Sequence, residues 1–400
     1  MTSFNRTVIS CDVEESAKNA SKSILLVTVK NVTSISQDMD VDKRFNLIAG
    51  VGEEIVTREE LRQLLEEKKN PIAYDGFEPS GMAHLPFGVY RPLLLKDLIK
   101  AGIRFKIWLA DWFAWINNKM GGNLDNIRTT GEYFIEVWKA AGVPSDKVEF
   151  LFASDAMDSI HYWERVVRIA KVTTVARATR ALTIMGRREG EMSEVAQYFY
   201  PVMQASDIFH LEADITQLGM DQRRANILAR EVGPKLGLWK PVVISHHMLI
   251  NLEGAIEPEG LDDVGRDIHM IETKMSKSKP SSSIFVHDSE DEIRAKIMAA
   301  YCPPKEVKGN PLLDYAKEIV FRSFKSMIVE RKPKFGGDLE FTGYEELEKS
   351  YVAGDLHPLD LKNAMILYID KMVKPIRDHF EKKGRANDLY EQVKGFQVTR

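Results

Sequence analysis

Ile72-Ala-Tyr74-Asp-Gly76-Phe-Glu78-Pro-Ser80-Gly81-Met-Ala-His84-Leu-Pro-Phe87-Gly88 reads as a short apolar strand, Ile72–Tyr74, then a turn over Asp75–Gly81, then a helical run from about Leu85 to Ala101. Gly76 and Gly81 permit a tight turn and close backbone approach. Ser80 is a candidate cap for the following helix, whose first amides would face a phosphate. The reading puts His84 in that helix's first turn, where it could donate to a phosphate oxygen, and Gly88 one turn on, leaving room for a flat ring. The same residues also fit an ordinary strand–helix turn with a surface histidine.

The unit recurs on both sides. Upstream, Glu59–Lys69 is amphipathic, with leucines at 61, 64 and 65, and Asn70-Pro71 stops it. Downstream, Phe105–Ala110 ends at Asp111, Val148–Ala153 ends at Ser154-Asp155, and Val242–Ser245 is a fourth apolar run. Short apolar strands between longer helical stretches predict an α/β fold, a parallel sheet covered on both faces with ligands at the carboxyl ends of its strands. From Glu290 onward strand signals disappear and helical patterns such as Leu359–Phe380 dominate. The expected organisation is an N-terminal extension over 1–41, a catalytic α/β domain over 42–285 and a mainly helical domain over 286–400.

Composition narrows the classes. Four hundred residues suit two or three domains, and 44% hydrophobic with 28% charged residues is globular. The longest apolar candidates, such as Ile24–Val29, are short and interrupted and fall far below a membrane span. Two cysteines, Cys11 and Cys302, supply neither a disulfide framework nor a zinc ribbon, so a reducing compartment is expected. The net charge of −4 hides an acidic run, Glu253, Glu257, Glu259, Asp262, Asp263, Asp267 and Glu272, and a basic one, Arg322, Lys325, Arg331, Lys332 and Lys334. Each also fits a solvated surface.

Lys274-Met275-Ser276-Lys277-Ser278-Lys279-Pro280 places lysines in a hydroxyl-rich loop, suited to neutralising a polyphosphate while staying mobile; a plain basic loop is the alternative. If Tyr200–Asp207 is helical, Tyr200, Gln204 and Asp207 share one face at i, i+4 and i+7. A carboxylate there beside the Tyr74 phenol suits a substrate hydroxyl, and Tyr200, Gln204 and Gln222 suit an ammonium group; a partly buried polar helix face is the alternative.

The 74–88 and 274–278 stretches resemble the HIGH and KMSKS signatures of class I aminoacyl-tRNA synthetases, in that order. Tyr200-Pro-Val-Met-Gln204-Ala-Ser-Asp207, Gly219-Met-Asp221-Gln222-Arg, Ala300-Tyr-Cys-Pro-Pro and Leu356-His357-Pro-Leu-Asp360-Leu-Lys-Asn narrow the resemblance to tyrosyl-tRNA synthetases of the archaeal and eukaryotic type, over roughly 42–400. That resemblance implies a Rossmann-type catalytic domain, an anticodon-binding helical domain, and a two-step reaction of L-tyrosine with ATP and then tRNA(Tyr). It implies that Tyr74 and Asp207 read the tyrosine hydroxyl and that Tyr200, Gln204 and Gln222 hold its amino group. His84, Lys274 and Lys277 become the catalytic candidates; Gly76, Gly88, Met275, Ser276 and Ser278 join those three at ATP. Phe335, His357 and Asp360 match anticodon recognition, by sandwiching an unstacked base and accepting from a guanine edge, although His357-Pro358 also reads as a plain helix start. Magnesium is expected with ATP and no protein-only metal site is expected; a cytoplasmic homodimer without membrane attachment is implied. Arg128–Ala141 is the candidate dimer helix, core packing being equally consistent. Rejection of phenylalanine needs no editing domain where pocket polar groups are left unpaired, a principle for which these enzymes are themselves the standard illustration.

The chain departs from the pattern at Phe87, which replaces the second histidine of the first signature, and at Lys279, where an acid is frequent. The acidic run 253–272 reads as a disordered insertion. His246-His247 reads as a strand end, and His210, Trp112 and Trp115 as core or pocket lining. Competing readings are a tryptophanyl-tRNA synthetase, a non-catalytic RNA-binding relative and a small-molecule adenylyltransferase; the last leaves 290–400 without a purpose.

Overall fold

Six strands line up in one sheet: β1 (Glu54–Val56), β2 (Ile72–Phe77), β3 (Arg104–Leu109), β4 (Val148–Phe152), β5 (Ile215–Thr216) and β6 (Val242–Ser245). The computed structural model describes residues 39–186, 194–256, 258, 260–261, 263–277 and 279–396, and from Asp40 they form one compact unit. The extension expected over 1–41 therefore lies, up to residue 38, outside the described residues. Asp40 caps the first helix, Val41–Ala49, by accepting from the Lys43 amide at 2.8 Å.

The spatial order is β1-β6-β5-β2-β3-β4, parallel throughout except for β1, which pairs antiparallel with β6. From β2 the chain builds outward through β3 and β4 on one side, then returns to place β5 and β6 on the other. The strand order thus reverses beside β2, and the crevice at the carboxyl ends there is where such sheets bind ligands. Sequence patterning misses β1 and β5 because three and two residues are too few to display an alternation. It also cuts β2 short: the strand continues to Phe77, so three residues assigned to the turn belong to the sheet.

Alternation along the strands divides the core. Ala73, Phe105, Ile107, Leu109, Ile215, Val242 and Ile244 point to one face, under the helices Arg58–Glu67, Arg91–Lys100 and Leu124–Ala140. Tyr74 and Trp108 point to the other, against Ile160–Lys171, Val195–His210 and Arg223–Val232. The first core continues without a break into the C-terminal helices, through Ile293, Leu313, Met365, Ile369 and Phe380 to Val393. Local signals agree with this layout: capping boxes at Thr57/Glu60 and Ser289/Glu292 start two of the helices.

Two expectations need correcting. An antiparallel hairpin, β7 (Met327–Val329) with β8 (Leu339–Phe341), lies in the region read as helical, again too short to show periodicity. Within the acidic run, Asp263–Thr273 is a helix, and Asp267 accepts from Arg224; Glu257, Glu259 and Asp262 lie outside the described residues. The helix Leu124–Ala140 buries Tyr133, Phe134, Val137 and Trp138 and packs on the helix Arg385–Gly395, so its apolar face is covered within the same chain. His247 bridges Glu53 at 3.1 Å and Asp314 at 2.8 Å. Burial opposes its charge, but those two hydrogen bonds outweigh burial and raise it to about 10.

Candidate active site

The carboxyl ends of β2 and β5 open into a cleft of about 1160 Å³, lined by Tyr74, Gly76, His84, Tyr200, Gln204, Asp207, Gln222, Lys274, Met275, Ser276 and Lys277. Eleven sequence candidates, scattered over two hundred positions, are thus brought to one wall-to-wall pocket by the reversal of strand order. Ser278 lies outside the described residues.

The buried end is built by β2 and the helix Val195–His210. Tyr74 points off β2 into the second core, and its hydroxyl is buried without a well-formed hydrogen bond, with Gln204 and Asp207 as its polar neighbours. Asp207 is 1% exposed and accepts from Tyr162 Oη at 2.7 Å. Burial drives its carboxyl up to about 8, against the opposing pull of Tyr162, Trp108 and Arg165. Three or four helical steps separate the other members of this face. Tyr200 Oη donates to Glu78 at 2.8 Å, and Gln204 Nε2 donates to Gln222 Oε1 at 3.2 Å. Gln222 Nε2 in turn donates to the Ile184 carbonyl at 3.0 Å, which fixes the amide orientation. Buried phenols, an amide pair and one carboxylate surrounding an apolar space give a slot for a ligand carrying a ring, a hydroxyl and an ammonium group.

Below the slot, Asp75 and Arg91 form a buried ion pair at 2.7 Å, with burial raising the aspartate to about 6. This pair ties β2 to the helix that starts at Arg91 and so fixes the turn between them. Glu78 collects Tyr200 and the Asn117 amide at 3.0 Å.

The opposite end is cationic. Lys274 pairs with Asp221, and Lys277 Nζ donates to Ser80 Oγ at 3.3 Å. Burial lowers Lys277 to about 7, with Lys119 acting in the same sense and Glu78 against it. His84 Nδ1 is buried without a well-formed hydrogen bond; burial, then Lys277 and Lys274, push its imidazole well below its usual range and keep it neutral. With Lys274 and Lys277 near enough to His84 to act on its charge, and a neutral ring N–H beside them, this end of the cleft favours an anionic ligand.

Several local expectations change. His84 is not in the helix but precedes it, bridged to Phe285 in an antiparallel pair. Ser80 does not cap: it donates to the Glu78 carbonyl, and no side chain caps Pro86–Tyr90. The amides of Phe87 and Gly88 are taken by the His84 carbonyl and that of Leu85 by Ile284, so those three helix-start N–H groups face no ligand. Gly88 does not line the cleft: a Cβ there would meet Val286 Cγ1 at 2.3 Å, so the missing side chain admits Val286, not a flat ring.

Sequence reasoning gave no role to Glu78, Tyr162, Trp108 or Asp221. Glu78 and Asp221 sit inside quoted motifs and were available there; Tyr162 belongs to an amphipathic helix where nothing marks it from a core tyrosine. His246 follows the last residue of β6 beside the cleft and accepts from Gln217 Nε2 at 3.2 Å. Phe335, His357 and Asp360 lie apart from the cleft. Phe335 is 59% exposed on the turn Pro333–Phe335, and Arg331 ties that turn to the one before His357 by donating to the Gly337 and Asp355 carbonyls at 2.8 and 2.9 Å. His357 caps the helix Pro358–Glu381, accepting from the Leu359 amide at 3.1 Å, so the plain helix-start reading is also realised.

Comparison with known proteins agrees with this geometry. The family described as tRNA synthetases class I (W and Y) matches residues 66–256 and 269–374, leaving out most of the acidic run. The cytoplasmic tyrosine–tRNA ligase 1 of Arabidopsis thaliana is 46% identical over 364 residues, 90% of each chain. The crystal structure of tyrosyl-tRNA synthetase from Aeropyrum pernix is 41% identical, with a TM-score of 0.78 over 89% of this chain and all (100%) of that one. Tyrosyl-tRNA synthetase complexed with L-tyrosine from Pyrococcus horikoshii gives 39% and 0.82 over 88% of this chain and 100% of that one. With its two signature stretches on one cleft and identities of this size over nine-tenths of its length, the chain belongs to the tyrosyl-tRNA synthetases, within the class I (W and Y) family.

Proposed function

We propose that the chain is a tyrosine–tRNA ligase, activating L-tyrosine with ATP and passing the tyrosyl group to the 3′ end of tRNA(Tyr). The observation that carries the reading is that the Tyr74 phenol and the Asp207 carboxyl are buried as neighbours at the closed end of the cleft. Two groups able to donate to and accept from one phenolic hydroxyl suit tyrosine, whereas an indole, a donor only, cannot accept from the Tyr74 hydroxyl, at a cost of about 1–3 kcal/mol. Tyr200, Gln204 and Gln222 take the amino group, with Glu78 completing its negative side through Tyr200.

In the first step a tyrosine carboxylate oxygen attacks the α-phosphorus and the bond to the bridging oxygen breaks, pyrophosphate leaving with the electron pair. In the second, a terminal ribose hydroxyl attacks the acyl carbon and AMP departs. Neither step needs a protein nucleophile, so positioning and charge stabilisation provide the acceleration. His84 contacts an ATP phosphate, and Lys274 and Lys277 stabilise the departing pyrophosphate; Gly76, Met275 and Ser276 line the nucleotide side. Among the described residues no group of three His, Cys, Asp or Glu could hold a metal ion. Magnesium would bind with ATP, at the phosphates whose charge it offsets.

The division at about residue 285 is functional: the sheet region activates tyrosine, and 286–400 contacts the anticodon through Phe335, His357 and Asp360. Exposed Trp115, Ile160, Val195 and Phe199, on helices that pack together, support a homodimer better than the covered helix Leu124–Ala140 does. No described helix is long and apolar enough to cross a membrane, and the cytoplasm is the proposed compartment, as in the Arabidopsis relative's name. Tyrosine-dependent ATP–pyrophosphate exchange without tRNA tests the reading. Exchange with tyrosine but not with tryptophan or phenylalanine is expected; exchange with tryptophan, or none in a folded sample, would overturn it.

A further inference from the structure

Phe87 stands where the first signature usually has its second histidine, which on sequence alone withdraws a polar group from ATP. Its surroundings give the position a different use. The Phe87 ring packs on Phe134 at 4.2 Å between centroids and is held by Phe77 at 5.0 Å and Trp138 at 5.4 Å. Trp138 also donates to the Phe87 carbonyl at 3.1 Å. Phe87 and Phe134 are 4% and 1% exposed, so this is a fixed platform. Lys277 Nζ lies 4.3 Å from the Phe134 centroid and 5.7 Å from that of Phe87, and all three residues line the cleft with Ser80.

We propose that Phe87 and Phe134 are positioning residues, forming a cation–π seat that holds the Lys277 ammonium beside Ser80 and toward the departing pyrophosphate. The inference rests on the role proposed above for Lys277. An ammonium taken from water loses its strong hydration, and an aromatic face is the one apolar surface that returns part of it. A histidine at 87 would put a further basic group beside Lys277, which already has the Lys119 charge as a neighbour, with Glu78 acting against it. The seat therefore suits a second signature that keeps its second lysine.

The test is the steady-state kinetics of tyrosine-dependent ATP–pyrophosphate exchange in the full chain. Phe134→Leu, with Phe134→Met as a second apolar replacement, should lower kcat roughly 3- to 30-fold and leave KM for tyrosine unchanged. The ring favours the charged lysine, so its loss should also move the alkaline limb of kcat to lower pH. On a Lys277→Ala background either replacement should add nothing. The same factor with and without Lys277, or an unmoved pH limb, would overturn the seat. Phe87→His is expected to lower kcat; a gain would overturn the seat in favour of a lost ATP contact. If Lys277→Ala is impaired while Phe134→Leu is as fast as wild type, the seat fails alone. If Lys277→Ala itself is as fast as wild type, the role assigned to Lys277 fails and the seat with it.

Discussion

Replacing Asp207 by asparagine removes one charge and little volume from the closed end of the pocket. Asp207 is buried, accepts from Tyr162 at 2.7 Å and is raised by burial to about 8. A hydrogen bond to a charged acceptor contributes about 1.5–3 kcal/mol, so above about pH 8, where Asp207 is ionised, Asp207→Asn should weaken tyrosine binding roughly 10- to 150-fold while leaving ATP binding in place. The elevated pKa adds a pH signature. In the free protein near pH 7 most of the carboxyl carries a proton, and the carboxylate that accepts from the substrate must first lose it. Wild-type affinity should rise toward tenfold per pH unit below about 8 and level above it, whereas the asparagine variant should be flat. Calorimetry of tyrosine binding without ATP, from pH 6.5 to 8.5, separates this from titration of Lys277, which affects exchange. The sign for stability is the reverse. A carboxyl raised in the folded chain binds its proton there between roughly pH 4 and 8, so stability declines as pH rises through that window. Asp207→Asn lacks that decline, and its melting temperature should gain on wild type toward pH 8. Wild-type affinity that falls with rising pH would mean that Asp207 acts as a donor, and it would refute the reasoning.

Lys274→Ala breaks the contact with Asp221 and should slow activation roughly 100-fold or more with tyrosine affinity retained; lost tyrosine heat in calorimetry would contradict its assignment to pyrophosphate. Asp360→Ala and Phe335→Ala should leave pyrophosphate exchange intact and weaken tRNA charging, and a variant already defective in exchange would remove them from the anticodon surface. Gly88→Ala puts a Cβ 2.3 Å from Val286 Cγ1 and should cost about 1–3 kcal/mol in denaturant unfolding; an unchanged midpoint would show that the helix can slide.

Sequence patterns made β3, β4 and β6 legible because each carries a short apolar run: β6 is buried throughout, β3 is buried at Phe105 and from Ile107 to Leu109, and the edge strand β4 keeps Phe150–Phe152 half-buried. The polar face of the proposed tyrosine slot was legible for a different reason: Tyr200, Gln204 and Asp207 recur at helical spacing, and a helix does form there. What escaped was contributed by contact across the chain. Neither Tyr162 reaching Asp207 nor Lys277 lying over Phe134 leaves a periodic trace, because each pair is joined only by folding. The errors at His84 and Gly88 share one cause. The sequence suggests a helix start open to solvent, while residues 284–286 pass directly over it, pairing with His84, accepting from the Leu85 amide and filling the empty Cβ position at Gly88.

The reversal of strand order beside β2 also has a kinetic meaning. The cleft takes Tyr74 and His84 from one side of β2, then Asp207 and Gln222 from the other, and closes only with the lysine loop at 274–277. None of these contacts is local, and parallel pairing of β2 with β5 joins Ala73 to Ile215 across more than a hundred residues. Loop-closure entropy must be met before such pairings return anything, so a nascent chain gains no part of the pocket until most of the sheet has emerged and docked. Tyrosine binding during refolding should therefore appear as one late event that follows helix formation, making the amino acid itself a probe of when β5 takes its place.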